Sequence, residues 1–84
     1  MKNKKNLINQ IIYRSTHRGS KEMDIILGSF VKKNIDKFDD NELLDLDKIL
    51  NYEDEILYKF YINKSVNKLI INNKIMKMLK DFKL

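Results

Sequence analysis

Cysteine is absent from this 84-residue chain, and that omission excludes disulfides, zinc knuckles and thiol chemistry together. Histidine occurs once, at position 17, which excludes a histidine-rich metal site. Proline is also missing, so no residue is barred from continuing a helix. The longest apolar run is three residues, as in Ile25-Ile26-Leu27, where a membrane-spanning helix needs ~20. The basic start Met1-Lys2-Asn3-Lys4-Lys5-Asn6 is not followed by an apolar stretch, because Asn9 and Gln10 split Leu7 and Ile8 from Ile11 and Ile12. No secretory signal is expected, and a mitochondrial transit peptide would be richer in arginine and serine. The expected location is the cytoplasm of a bacterium.

The length makes one domain, 1–84, with residues 1–4 and 81–84 expected to fray. So small a domain has a limited core and little room for an enclosed cleft, which argues against an autonomous enzyme. Lysine (15), isoleucine (12) and asparagine (10) dominate, whereas arginine occurs only at 14 and 18 and glycine only at 19 and 28. Where lysine is the default cation, arginine points to a need for its planar five-donor fork. Charge is laid out in blocks: net +6 over residues 1–37, −7 over 38–58 and +6 over 59–84. The acidic middle suits a simple nucleic-acid binder poorly, despite a pI of 9.4.

Apolar spacing is helical throughout and predicts an all-α, compact five-helix bundle. The first helix covers about residues 5–15, with Leu7, Ile8, Ile11 and Ile12 on one face. The second places Met23, Ile26, Leu27, Phe30 and Val31 on a stripe, with Ser20 as N-cap and Glu22 and Asp24 in the first turn. Gly28 inside it suits the close approach of another helix. Asp39 followed by Glu42 reads as a capping box, opening a third helix with Leu43, Leu46 and Leu50 inward and Leu44 and Ile49 flanking. A fourth covers about residues 53–62, with Ile56, Leu57, Phe60 and Tyr61 inward. After a turn at 63–65, a last helix uses Val66, Leu69, Ile70, Met76 and Leu79 and frays beyond Lys80. The expected core includes Ile11, Met23, Leu27, Phe30, Leu43, Leu50, Leu57 and Phe60. Full burial of Leu27 would make Leu27→Ala cost ~2–5 kcal/mol.

One stretch gathers the unusual residues: Arg14-Ser15-Thr16-His17-Arg18-Gly19-Ser20-Lys21-Glu22-Met23-Asp24. It sets two arginines, a glycine and two carboxylates around a helix–helix corner, which suits docking on a polar protein surface. A purely structural account also fits these residues. Arginines near a helix C-terminus meet the dipole, Gly19 ends the helix, and Glu22 is an N-terminal carboxylate. His17 reads as a solvated turn histidine, and Glu22 and Asp24 point in different directions, a poor acid/base pair. Tyr52, Tyr58 and Tyr61 fit boundary packing. Lys64, Lys68, Lys74, Lys77, Lys80 and Lys83 make the last helix basic, as a solvated face or a contact for an anionic membrane.

The wider pattern, Arg14-Ser15 followed by Arg18-Gly19-x-x-Glu22-x-Asp24 and then Ile26-Leu27-Gly28-x-Phe30, is similar to the signature of the SdhE family. That family is also called succinate dehydrogenase assembly factor 2 and carries the motif R-G-x-x-E. The segment Ile49-Leu50-Asn51-Tyr52-Glu53-Asp54-Glu55-Ile56-Leu57-Tyr58-Lys59-Phe60 resembles its acidic region ending in Leu-Tyr-x-Trp. Two positions depart from the pattern: Phe60 stands where the family usually has tryptophan, and Ile56 where aspartate is common.

The resemblance implies a five-helix, non-catalytic assembly factor. Its partner would be the flavoprotein subunit of succinate dehydrogenase or of fumarate reductase. It would promote covalent attachment of FAD to a histidine of that subunit. It further implies that Arg14, Arg18, Gly19, Glu22 and Asp24 bind the partner and that FAD stays with the partner, none being held stably by this chain. The chain would act as a monomer, without nucleic acid and without a membrane span. Arg18→Ala and Glu22→Ala would leave stability nearly unchanged if both residues lie on the surface. A small basic nucleic-acid binder and an antitoxin-type protein-binding module are the alternative readings.

Overall fold

The computed structural model describes residues 4–63 and 73–84. Five helices follow one another, with no strand among the described residues: α1 Lys4–Thr16, α2 Lys21–Asn34, α3 Asp40–Ile49, α4 Asp54–Asn63 and α5 Lys74–Asp81. A short 3-10 turn, Ile35–Lys37, joins α2 to α3.

The starts of α2 and α3 have local causes. Ser20 is extended at φ −113° and its hydroxyl accepts the Met23 N–H, so α2 is capped by the side chain the sequence singles out. At α3, Asp39 accepts the Glu42 N–H at 2.8 Å and Glu42 accepts the Asp39 N–H at 2.9 Å, the reciprocal capping box. The Glu42 carboxylate also receives Lys74 at 2.8 Å, tying α3 to the first turn of α5. The Lys74 hydrogen bond, and after it the Asp39 N–H, holds the Glu42 carboxyl below its usual range. The same hydrogen bond holds Lys74 above its own.

Helix α2 is the axis of the core. Met23, Ile26, Leu27, Phe30 and Val31 are all buried, and Leu27 is fully covered. They share one buried cluster with Ile11 of α1, Leu43 and Leu46 of α3, Leu57 and Phe60 of α4, and Ile75, Met76 and Leu79 of α5. The expected core residues are all buried. Of α4's expected inward residues, Ile56 and Tyr61 are only half-buried against that cluster. Ile49, expected at the flank of α3, lies inside, while Leu44 faces out.

Helix α1 packs so closely on α2 that a Cβ at Gly28 would lie 3.1 Å from Thr16 Cγ2, the approach foreseen for that glycine. Ile35, four residues past Val31, carries the α2 stripe into the 3-10 turn, and Phe38, just after that turn, joins the core with it.

The chain's far end differs from the expectation. Asn73 is extended, at φ −132° and ψ 176°, and its side chain accepts the Met76 N–H. Met76 and Leu79 therefore belong to a helix that starts afresh at Lys74, not to a single helix running from Val66. Val66, Leu69, Ile70 and the turn residues Lys64 and Ser65 lie outside the described residues, as does Lys68. Beyond Lys80, where fraying is expected, the Phe82 ring meets Phe30 edge-on at 5.4 Å and the Phe82 carbonyl accepts the Tyr61 hydroxyl at 2.8 Å.

Candidate functional site

The corner between α1 and α2 is short, from His17 to Ser20. Gly19 sits at φ +94°, where a side chain would strain the backbone even though nothing lies within 4 Å of its Cβ direction. Because α1 ends at Thr16, Gly19 turns the connection and does not close the helix's last turn. The bend is pinned from the far side by Asp24, whose carboxylate accepts the Arg18 N–H at 2.6 Å.

The Arg18 side chain points inward and is only 9% exposed. Its Nε donates to Asp54 Oδ1 at 2.7 Å, Nη1 to the Leu50 carbonyl at 2.5 Å and Nη2 to the Tyr52 carbonyl. Those acceptors are the end of α3, the turn after it and the first residue of α4. One planar cation thus satisfies two carbonyls left over where α3 ends and a carboxylate where α4 begins. Helix dipoles favour a positive charge at the first place and a negative one at the second. A lysine ammonium presents no such fork, which accounts for arginine in a lysine-rich chain.

Arg14 reaches the same region, donating to Asp47 and, at 2.6 Å, to Asn51 Oδ1, but its side chain is 34% exposed. Arg14 lies in the last turn of its own helix, as expected, and both arginines also reach the C-terminal end of α3, which packs against α1.

The expectation that Arg18→Ala would be silent for stability is therefore corrected. The guanidinium is a covered cross-link between segments more than thirty residues apart, and removing it strands Asp54 and two carbonyls. His17 is more than a solvated turn residue. Its ring stacks on Tyr13 at 4.1 Å and 13°, and Nδ1 lies 2.9 Å from the Tyr13 carbonyl.

Glu22 behaves differently from its neighbours. It is exposed, takes a hydrogen bond from the Ser20 hydroxyl at 3.2 Å and forms no ion pair among the described residues. It borders a depression of about 360 Å³ with Ser20, Asp54, Glu55 and Tyr58. The structure brings Arg18, Gly19 and Asp24 together as the frame of the corner and leaves Glu22 at its rim.

A family model described as the flavinator of succinate dehydrogenase matches residues 9–83. The chain belongs to that family. The relative named FAD assembly factor SdhE in Wigglesworthia glossinidia brevipalpis is 36% identical over 66 residues, covering 71% of this chain and 79% of that protein. Succinate dehydrogenase assembly factor 2, mitochondrial, of Arabidopsis thaliana is 40% identical over 58 residues, 69% of this chain and 31% of that protein. A second FAD assembly factor SdhE, from Acetobacter pasteurianus, is 43% identical over 42 residues, 50% of this chain and 38% of that protein. The chain thus spans less than half the length of two of these relatives and most of the third. No solved structure matches it. Among the described residues, no helix is long and apolar enough to cross a membrane.

Motif reading of this flavinator-family chain overlooked Asp47, Asn51 and Asp54 as partners of the arginines, and Glu55 as a neighbour of Glu22. The available signal was charge: the block of net −7 follows a block of net +6 that holds both arginines.

Proposed function

We propose that this chain is a non-catalytic assembly factor that docks on the flavoprotein subunit of succinate dehydrogenase and promotes covalent attachment of FAD to it. The family match across residues 9–83 is the observation that supports the reading most strongly. Exposure supports a division of labour in which Arg18, Gly19 and Asp24 build the corner, Arg14 ties α1 to α3, and Glu22 meets the partner from the rim.

The chain contributes no nucleophile to the reaction. It has no cysteine, and its one histidine is stacked on Tyr13. FAD remains with the partner, which supplies the flavin pocket and the acceptor histidine. The assembly factor acts by binding one state of the partner better than another, and only that difference shifts the equilibrium. Each ~1.4 kcal/mol of preference enriches the favoured state about tenfold. In that state the flavin is held against the histidine in a near-attack geometry. The same surface serves the flavoprotein subunit of fumarate reductase, and the factor works as a monomer in the bacterial cytoplasm.

The test is complementation of cells lacking the native copy, read as in-gel flavin fluorescence of the denatured flavoprotein subunit. The wild-type chain restores covalent flavin. Glu22→Ala leaves the subunit present but poor in it. Failure of the wild-type chain to restore any overturns the function, and full restoration by Glu22→Ala removes Glu22 from the docking surface.

A further inference from the structure

Six large apolar side chains are exposed among the described residues, and four of them, Ile25, Tyr58, Ile62 and Leu84, share one groove beside Glu22. The groove lies between α2 and α4, has a volume of about 220 Å³ and is backed by Ile26 and Tyr61. Ile25 and Ile62 are half exposed, at 50% and 51%. Single exposed apolar residues are ordinary on a small protein, but a contiguous group rimmed by charge marks an interaction surface.

Glu22 and Tyr58 also line the adjoining depression with Asp54 and Glu55, so the apolar groove runs into an acidic end. There Asp54 is neutralised by Arg18 and Glu55 by Lys59 at 3.1 Å. Glu22 keeps its charge uncompensated among the described residues.

We propose that the α2–α4 groove docks a segment of the flavoprotein partner that carries an apolar side chain beside an arginine or lysine. The apolar side chain lies across Ile25, Tyr58 and Ile62, and the cation faces Glu22. The proposal rests on the function given above and extends its surface from the corner onto α4. Charge selects the occupant. A second copy set rim to rim would bring its Glu22 against this one, and an anionic lipid surface would meet the same uncompensated carboxylate.

The experiment is calorimetric titration of the full chain against the purified flavoprotein subunit, with circular dichroism to confirm that each variant is folded. Ile25→Ser, Ile62→Ser and Tyr58→Ala each weaken binding by ~tenfold or more. Leu44→Ser, at an exposed position outside the groove, binds within about twofold of wild type. Glu22→Gln weakens binding and flattens its salt dependence. A Tyr58→p-benzoylphenylalanine variant, photolysed in the complex, crosslinks to the partner segment. Mass spectrometry of the adduct then finds an arginine or lysine next to an apolar residue.

If the wild-type chain binds and Glu22→Gln weakens it while the groove variants match wild type, the groove is wrong and the function stands. If the wild-type chain does not bind, the function falls and the groove with it. A crosslink to a second copy of the chain, or to a partner segment without a basic residue, overturns the assigned occupant.

Discussion

Arg18 and Glu22 are one helical turn apart in sequence, yet the guanidinium is 9% exposed and held by three acceptors, while the carboxylate is exposed and accepts only from Ser20 among the described residues. Residues of one short motif thus work on opposite sides of the same corner. The inward member joins the α1–α2 corner to the α3–α4 turn, and the outward member has its charge free for another molecule. The lesson concerns the reading of motifs. A motif residue can be indispensable because it positions its neighbour, and loss of function on substitution does not by itself place it at an interface.

The largest effect that can break this comparison is on the inward side. Arg18→Ala should cost about 2–4 kcal/mol, because it removes three charge-assisted hydrogen bonds and leaves a partly covered carboxylate unpaired. Chemical denaturation measures it, and Arg18→Lys should recover less than half of the loss, since an ammonium lacks the fork. A cost under ~0.5 kcal/mol would put Arg18 in the class of surface residues and dissolve the contrast.

Gly19→Ala comes next, at ~1 kcal/mol or more, from backbone strain alone because its Cβ direction is open. If Gly19→Asn, which tolerates positive φ better, regains part of that stability in thermal melts, the strain account holds.

A smaller, pH-dependent effect concerns the α3–α5 pair. The Glu42 carboxyl is lowered from its ordinary value of 4.5, so its contribution is present above that value and lost as pH falls through the folded-state pKa. Lys74 is raised from 10.5, so its contribution is present below that value and lost as pH rises through the folded-state pKa. The melting difference between wild type and Glu42→Gln should therefore be flat between about pH 5.5 and 9 and shrink below about pH 4. A flat difference down to about pH 2 would remove the pair as its source.

The smallest stability effect belongs to the outward side: Glu22→Ala should stay within ~0.5 kcal/mol of wild type. Paired with Arg18→Ala in the same denaturation series, it sharpens the comparison most directly. One variant should lose stability and the other should keep it.

Much of this was legible before the fold. Apolar stripes every three to four residues identify α2, and Ser20 and the Asp39–Glu42 box mark helix starts, because these interactions close within a turn of the chain. The motif also pointed to the corner, and the scarcity of arginine to Arg14 and Arg18. The core contribution of Ile35 and Phe38 was open to the same spacing, since Ile35 lies four residues past Val31 and Phe38 three past Ile35, the repeat of a 3-10 turn. Not legible was the fresh start of α5 at Asn73, one of ten asparagines in the chain.

The sequence by itself determined the helical class, the apolar stripe of α2 and the caps of α2 and α3, all of which depend on neighbours within about four residues. Only the tertiary structure decided that Arg18 turns inward while Glu22 stays out. Two of the three acceptors of Arg18 are backbone carbonyls, at Leu50 and Tyr52. A carbonyl is the same group at every position, so no pattern of side chains can announce which one a guanidinium will find. That choice follows from α3 packing on α1 and α4 packing on α2, which brings the end of α3 and the start of α4 to the Arg18 guanidinium and leaves Glu22 on the rim.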